Sequence, residues 1–321
     1  EGDGRVRALI TFAGNPVLST PNGKRLDRAL GSLEYMVSID LYRNETTRHA
    51  NLILPTSFGF ERDHYDLIFY ALSVRNAARY VEALVDPPPG VRRDFDVLLD
   101  LAMSVRKHGG GKQGFQRGIG LKASKLLGPR RLLDLLLRFG PHKLSVRKLL
   151  RSPHGLDLGP LEPGRMKQVN LAPEIYLNDL ARLEEGLARP LQGGLVLIGR
   201  RALRSNNSWM HNSLRLVKGP PGCVLLMHPD DAAERGLDNG AQVRVQSRAG
   251  AVEVPVGVSA DVLRGVVSLP HGWGHGGAGT ALGVAAAHAG ASLNDLTDEL
   301  SIDALSGNAA FSGVPVSVAK V

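Results

Sequence analysis

Short apolar runs alternate with helical spacings along the first hundred residues. ALITF at residues 8–12 stops at Ala13-Gly14-Asn15-Pro16, where turn-forming residues take over, and this predicts a strand followed by a loop. After Asn22 the apolar residues Leu26, Leu30 and Leu33 recur at helical spacing, and a second run at 35–39 closes on Asp40. Residues 45–50 predict a short helix, and 51–54 a third strand before Pro55. Three strands separated by helices predict a parallel α/β sheet with right-handed crossovers. Ligands of such sheets lie beyond the carboxyl ends of the strands, where Asn15, Asp40 and the chain after Pro55 fall. The break PPPG at 87–90 precedes an amphipathic helix from Asp94 to about Arg106, with Phe95, Leu98, Leu99, Ala102 and Val105 on its apolar side.

The pattern then changes twice. After Gly109-Gly110-Gly111, leucines 132, 133 and 135–137 sit among arginines and lysines, which predicts short cationic helices. Residues 155–190 read as loops with one helix at 174–187. From Leu195 short β-runs are separated by glycine turns, at 195–198, 223–227, 242–247, 251–258, 266–269 and 314–318. Residues 230–236 predict a capped short helix stopped by Gly236. Six short strands at this density predict a small β-barrel. The expected division is therefore an α/β domain at 1–106, a basic helical insert and linker at 107–190, and a barrel at 191–321.

Composition adds two constraints. The chain has 321 residues, 43% hydrophobic and 22% charged, with 38 glycines and 19 prolines, which is globular composition rich in turns. Its net charge of +8 is local: residues 105–154 hold 13 Lys or Arg against Asp134 alone, a net of +12, and the remainder carries a net of −4. A chain-wide nucleic-acid surface is thereby excluded, and no nucleic-acid partner is expected. The basic stretch reads either as a surface for an acidic partner, a nucleic acid or an anionic membrane, or as a solvated insert whose leucine face packs on the core. The single cysteine, Cys223, excludes an internal disulfide framework or a protein-only cysteine cluster. It fits a reducing, cytoplasmic compartment and, behind Gly222 in an apolar run, a buried inert thiol. No run approaches the roughly 18–20 apolar residues of a membrane span. The opening EGDGRVRALI, without methionine or signal sequence, reads as the interior of something larger.

The turn Gly14-Asn15-Pro16 places backbone N–H groups and an amide at a strand end, where anionic or nucleotide ligands bind; it serves equally as a plain βα turn. Asp40 is placed to accept from a ribose or to cap a helix. No GxGxxG follows a strand, which disfavours an ordinary dinucleotide site. GRRALRSNNSW at 199–209 combines three arginines with a Ser-Asn-Asn-Ser run, a loop suited to holding phosphate while amides read a heterocycle, and also suited to a polar surface. In PHGWGHGG at 270–277, the glycines permit backbone approach to a flat ligand. His271 and His275 are four apart, but glycines between them and no third ligand nearby argue against zinc. GGGKQG at 109–114 lacks the Ser or Thr of a phosphate loop. No catalytic acid or base and no metal ligand can be named.

Taken in order, these motifs resemble the C-terminal half of the molybdopterin oxidoreductases of the dimethyl sulfoxide reductase family, which includes formate dehydrogenases and nitrate reductases. The resemblance rests on GNP at 14–16, the strand ending in Asp40, ETTRHANLILP at 45–55, Glu61-Arg62 and RRDFDVLLDLA at 92–102. It continues with GRRALRSNNSW, MHPDDAAERGLDNGAQVRVQSRAG at 227–250, LPHGWGHGG, Asn294 in LNDLTD, and DALSGNAAFSGVPVSV at 303–318. It implies an α/β domain and a six-stranded double-psi barrel gripping bis-molybdopterin guanine dinucleotide, which carries molybdenum or tungsten. Carried over residue by residue, Gly14, Asn15, Pro16, Asp40 and Asp94 would hold one guanosine portion. Gly199, Arg200, Ser205, Asn206, Asn207, His271, Gly272, Trp273 and Asn294 would hold the other cofactor. Arg62 and Gly313 stand where relatives often have lysine, and Gly313 removes a phosphate contact.

The family's iron–sulfur cysteines and metal-ligating side chain lie upstream of the part represented here, so any 4Fe-4S cluster would belong to sequence outside this chain. The resemblance thus implies a portion of a two-electron oxidoreductase acting on a small substrate, inactive alone and completed by upstream sequence or a partner subunit, with the electron carrier unassigned. The alternatives are a basic binding module and a cofactor-free structural homologue that docks on an acidic partner.

Overall fold

The computed structural model describes residues 4–108, 115–161, 170–188 and 194–321, with the side chains of 115–119 also left aside. The chain forms two compact units, one of residues up to Leu54 with Asn178–Val321, the other Pro55–Leu177. This compaction places the first 54 residues with the barrel and residues 55–106 with the basic stretch, a grouping that differs from the division by sequence texture.

The first unit begins with a parallel sheet of β1 (Ala8–Phe12), β2 (Tyr35–Ile39) and β3 (Leu52–Leu54), in that order. Between β1 and β2 run α1 (Pro16–Ser19) and α2 (Gly23–Gly31). Pro16 opens α1 where its missing N–H costs no hydrogen bond. Asn22, in the left-handed region at φ 51°, accepts from the Arg25 N–H and caps α2. The helical spacing acts as expected, since Leu30 is buried with Val17 and Met36 while Leu26 and Leu33 pack against them. The short helix expected at 45–50 shrinks to a 3-10 turn at Thr47–His49. Asn44 accounts for this, because its side-chain oxygen accepts from the N–H groups of both Thr46 and Thr47 and holds the chain in a tight turn.

The second unit contains α3 (Leu67–Leu72), β4 (Arg75–Ala78), α4 (Asp94–His108), α5 (Phe115–Phe139), α6 (Val146–Leu150), β5 (Leu156–Pro160) and α7 (Glu174–Leu177). Strands β4 and β5 pair antiparallel, although sequence texture marks the second as loop. The expected apolar side of α4 is rotated: Val97 is buried, whereas Leu98, Ala102 and Val105 are exposed. Helix α5 breaks at Gly128, φ 72°, before Pro129, which can neither donate nor tolerate a helical predecessor. The cationic stretch is therefore a set of short helices; some of its leucines are packed, while Leu126, Leu135 and Leu136 are exposed. Leu144, Val146 and Leu149 are buried with Ala78 and Tyr80, and Leu133 and Leu137 lie against them. Asp134, its single acid, joins α5 to α6 by accepting from Arg138 at 2.7 Å and from the Val146 N–H at 2.8 Å. The segment GGGKQG lies outside the described residues.

Returning to the first unit, the helix expected at 174–187 is divided, its second part being α8 (Leu180–Ala188). The six β-runs form β6 (Leu195–Arg200), β7 (Leu225–Met227), β8 (Gln242–Gln246), β9 (Ala251–Val258), β10 (Val266–Pro270) and β11 (Val314–Lys320). They close into a mixed barrel of order β10-β6-β11-β8-β9-β7, in which β10–β6 and β7–β9 are parallel. Alternation points Val243 and Val245 inward and Gln242 and Arg244 outward, and closure leaves no strand edge. Leu195, Leu197, Leu225, Met227, Val267 and Leu269 fill the interior. Helix α9 (Pro229–Glu234) follows β7 and ends at Gly236, φ 59°; α10 (Gly283–Ala287) lies between β10 and β11. Cys223 is a free, buried thiol whose pKa is pushed up by burial, so it is inert.

Candidate functional site

At the carboxyl end of β1, Ala13 (φ 49°) and Gly14 (φ 92°) are both left-handed, and an alanine held there stores about 1 kcal/mol of strain. The turn sets Asn15 against the loop after β2. Its amide donates to Glu45 at 2.6 Å and accepts from the Thr46 hydroxyl at 2.7 Å. Asp40, at the end of β2, accepts from the N–H groups of Leu41 (2.6 Å) and Tyr42 (3.2 Å) and from the Asn44 amide (3.3 Å). Burial raises its pKa against these hydrogen bonds. It organises a turn and does not cap a helix.

Two barrel loops interlock. Asn206 (φ 41°) and Asn207 (φ 63°) are consecutive left-handed residues after β6, and Gly272 has φ 97° with its α-carbon against the Asn207 carbonyl. A β-carbon at 272 would overlap that oxygen, so only glycine fits. The His271 N–H donates to the Arg200 carbonyl at 2.9 Å, and burial lowers the His271 pKa. Trp273 stacks on His211, ring centres 4.1 Å apart, and its buried indole N–H has no partner.

A buried series of hydrogen bonds then crosses from barrel to sheet. Ser205 Oγ lies 2.7 Å from His211 Nε2, His211 Nδ1 lies 2.9 Å from His275 Nε2, and His275 Nδ1 lies 3.2 Å from Glu45 Oε1. Burial, with the nearby His275, pushes His211 down to about 4. Burial alone would raise the Glu45 carboxyl, but the hydrogen bond and charge of His275, with Asn15, hold it below its ordinary value.

Two cavities flank this series. A recess of about 50 Å³ brings Gly14, Asn15, Asp40 and Asn44 together with Ser208, Trp209, Asn212 and His275. A larger cavity, about 520 Å³, is lined by Lys24, Asp27, Glu45, Arg48, Arg244, Glu253, Ser292, Asp295 and glycines 274, 276, 277 and 290.

The sheet motifs and the barrel loops thus meet in one recess, in the order in which known proteins carry them. Residues 2–104 match the family model described as Molybdopterin oxidoreductase, and residues 195–315 match the Molydopterin dinucleotide binding domain. The chain belongs to the molybdopterin oxidoreductase family. It is 26% identical over 273 residues to the NADPH-Fe(3+) oxidoreductase subunit alpha of Geobacter sulfurreducens, covering 83% of this chain and 27% of that protein. It is 24% identical over 296 residues to the dimethyl sulfoxide/trimethylamine N-oxide reductase of Rhodobacter capsulatus, covering 83% of this chain and 36% of that protein. Among solved structures, acetylene hydratase from Pelobacter acetylenicus matches with TM-score 0.63 and 18% identity over 98% of this chain and 44% of its own, a likeness of fold. The chain therefore spans roughly a quarter to two-fifths of the curated relatives' length.

Within this chain the residues singled out by motif fall into three groups. Gly14, Asn15 and Asp40 line the recess and Pro16 opens α1 behind them, whereas Ser205, Asn206, Asn207, His271, Gly272 and Trp273 belong to the two interlocked barrel loops and do not line it; the barrel side of the recess is Ser208, Trp209, Asn212 and His275. Gly199, Arg200 and Asn294 are engaged elsewhere. The Gly199 N–H donates to Ser312 at 3.2 Å, and the Arg200 guanidinium donates to the carbonyls of Ser268 (2.9 Å) and Val224 (3.0 Å), bracing the barrel. Asn294 is fully buried, donating to the Leu18 carbonyl at 2.6 Å and accepting from Thr297 at 3.1 Å. Asp94 lies in the second unit, where one oxygen pairs with Arg62 and the other is buried without a partner beside a cavity of about 550 Å³. Glu45 and His211 were not singled out by motif reading, and His275 was weighed only as a metal ligand. Their signal is the ETTR segment, whose acid has no local partner.

Proposed function

We propose that this chain is the C-terminal portion of a molybdopterin-dependent oxidoreductase, and that its first unit grips bis-molybdopterin guanine dinucleotide. Upstream sequence or a partner subunit completes the enzyme, which acts on a small substrate. What carries the reading is the recess where Gly14, Asn15 and Asp40 meet Ser208 and Trp209 at the end of the GRRALRSNNSW motif, about 190 residues away in the sequence. When bound, the group supplies two-electron chemistry at its molybdenum or tungsten.

The residues present fit such a group. Asp40 offers carboxylate lone pairs for the N–H groups of a guanine or the hydroxyls of a ribose, and its burial strengthens those hydrogen bonds. The indole N–H of Trp273, buried and unpartnered, is a donor awaiting an acceptor. Asn207, fixed by Gly272, presents its loop rigidly. Arg200 supports the barrel beneath the loop. The likeness to a protein named a hydratase concerns fold, so the redox assignment rests on the family matches. No helix among the described residues is long and apolar enough to cross a membrane; placement in the cytoplasm rests on the single buried cysteine. Leu144 and Leu149 of the basic segment are packed on the second unit's own core with Leu133 and Leu137 against them, while Leu126, Leu135 and Leu136 are exposed.

The test is to purify the full-length protein from a host that makes the cofactor and to measure bound metal and the guanine nucleotide released by acid. Two guanine nucleotides per metal are expected. Asp40→Asn and Asn207→Ala, each removing a hydrogen bond of about 1.5 kcal/mol, lower retention about tenfold with near-ultraviolet circular dichroism unchanged. A folded preparation holding neither pterin nor guanine nucleotide leaves the cofactor-free homologue as the reading.

A further inference from the structure

Residues 105–154, with their net charge of +12, lie between the ranges matched by the two family models, 2–104 and 195–315. The surface they present is therefore not part of either matched domain. Within it the second half of α5, from Pro129 to Phe139, is apolar on two sides. Leu133 and Leu137 pack against the second unit's core. At about 3.6 residues per turn, Arg131, Leu135 and Phe139 fall on the opposite side, with Leu136 at its edge. Exposure follows that geometry, since Leu136 is 66% and Phe139 82% exposed.

Helix α6 turns charge outward in the same way. Val146 and Leu149 are buried, and Arg147, Lys148 and Arg151 are exposed on the other side. Of the basic residues at 129–151, Arg130 pairs with Glu82 at 2.9 Å and Arg138 with Asp134 at 2.7 Å. Arg131, Lys143, Arg147, Lys148 and Arg151 make no ion pair among the described residues and are all exposed. Consecutive helices on one core thus present cations without counterions together with uncovered Leu and Phe side chains.

This pairing selects a partner. A nucleic acid would answer the cations and leave Leu136 and Phe139 in water. An acidic protein would need a pocket shaped to receive them. An anionic bilayer satisfies both without matched shape, because its headgroups attract the cations while its acyl boundary takes up the apolar side chains. We propose that α6 and the second half of α5 form a peripheral binding face for anionic lipid membranes. No described helix is long and apolar enough to span a bilayer, so the contact lies at headgroup level. The face belongs to the second unit and is independent of cofactor binding by the first.

The experiment sediments the full-length protein with vesicles of phosphatidylcholine alone and of an equal mixture with phosphatidylglycerol. Binding is expected to the mixed vesicles only, and to weaken as salt is raised. Each cation near an anionic surface is worth about fivefold in partition, so replacing Arg147, Lys148 and Arg151 together by Gln lowers it about a hundredfold. Replacing Leu136 and Phe139 together by Ser lowers it at least about tenfold, with circular dichroism unchanged because both side chains are exposed. No binding to mixed vesicles, equal binding to neutral ones, or undiminished binding by either folded variant overturns the proposal. Duplex DNA that displaces the protein from vesicles and binds it equally well after the Leu136 and Phe139 replacement assigns the face to nucleic acid and overturns it too. Should the variants not fold, the unsubstituted protein decides: a photoactivatable phosphatidylglycerol in the vesicles should label the peptide containing Phe139, and labelling confined to other peptides overturns the assignment. Cofactor content of the same preparation bears only on the function proposed above.

Discussion

At the scale of single residues, His211 gives the clearest pH dependence. Its folded pKa of about 4 lies below the ordinary 6.5, so the unfolded chain takes up a proton that the folded protein refuses. The resulting stability, roughly 2–3 kcal/mol, is fully present above pH 6.5 and is lost as pH falls toward 4. Urea unfolding at a series of pH values should show this loss, and His211→Gln should be less stable at pH 7 and flatter below it; parallel slopes would assign the effect to another group. Gly272 gives a steric prediction. Gly272→Ala must displace Asn207 and occupy a left-handed conformation, at a cost of at least about 2–3 kcal/mol, which thermal unfolding checks. Gly272 and Asn207 were legible because glycine and asparagine mark unusual backbone in any context. Glu45 was not, because its partner His275 lies 230 positions away.

At the scale of elements, the question is what the basic stretch does with its leucines. Leu149 in α6 is fully buried against Ala78, Tyr80 and Leu144. Leu149→Ala should therefore cost about 2–5 kcal/mol, as for any core truncation, measured by denaturant unfolding followed by circular dichroism. A change below about 0.5 kcal/mol would mean that the stretch is a free cationic arm. Elements with one buried face were readable from period alone, as Leu26, Leu30 and Leu33 of α2 and the alternating valines of β8 show. The face of α4 was not. Its helix is apolar on two sides, and what packs against it selected Val97 over Leu98. Strand β5 was missed for a related reason: LDLGP has a glycine and a proline, and only pairing with β4 makes it a strand.

At the scale of the whole molecule, each compact unit has its own buried cluster, and both tryptophans, Trp209 and Trp273, lie in the first. Tryptophan fluorescence thus reports one unit. Leu197→Ala, inside the barrel, should lower the fluorescence-detected midpoint, whereas Leu149→Ala should move the circular dichroism transition and leave fluorescence in place; coincident shifts for both variants would show a single cooperative unit. The sequence by itself determined the parallel sheet, the six barrel strands and the family, because period, turn chemistry and motif order are properties of local segments. Only the tertiary structure decided that the first 54 residues compact with the barrel, that Arg200 braces the barrel while Asn294 ties to the Leu18 carbonyl of α1, and that Ser205, His211, His275 and Glu45 join in one buried series. Those outcomes depend on which surfaces exclude water from one another across long separations, and no local periodicity encodes that choice.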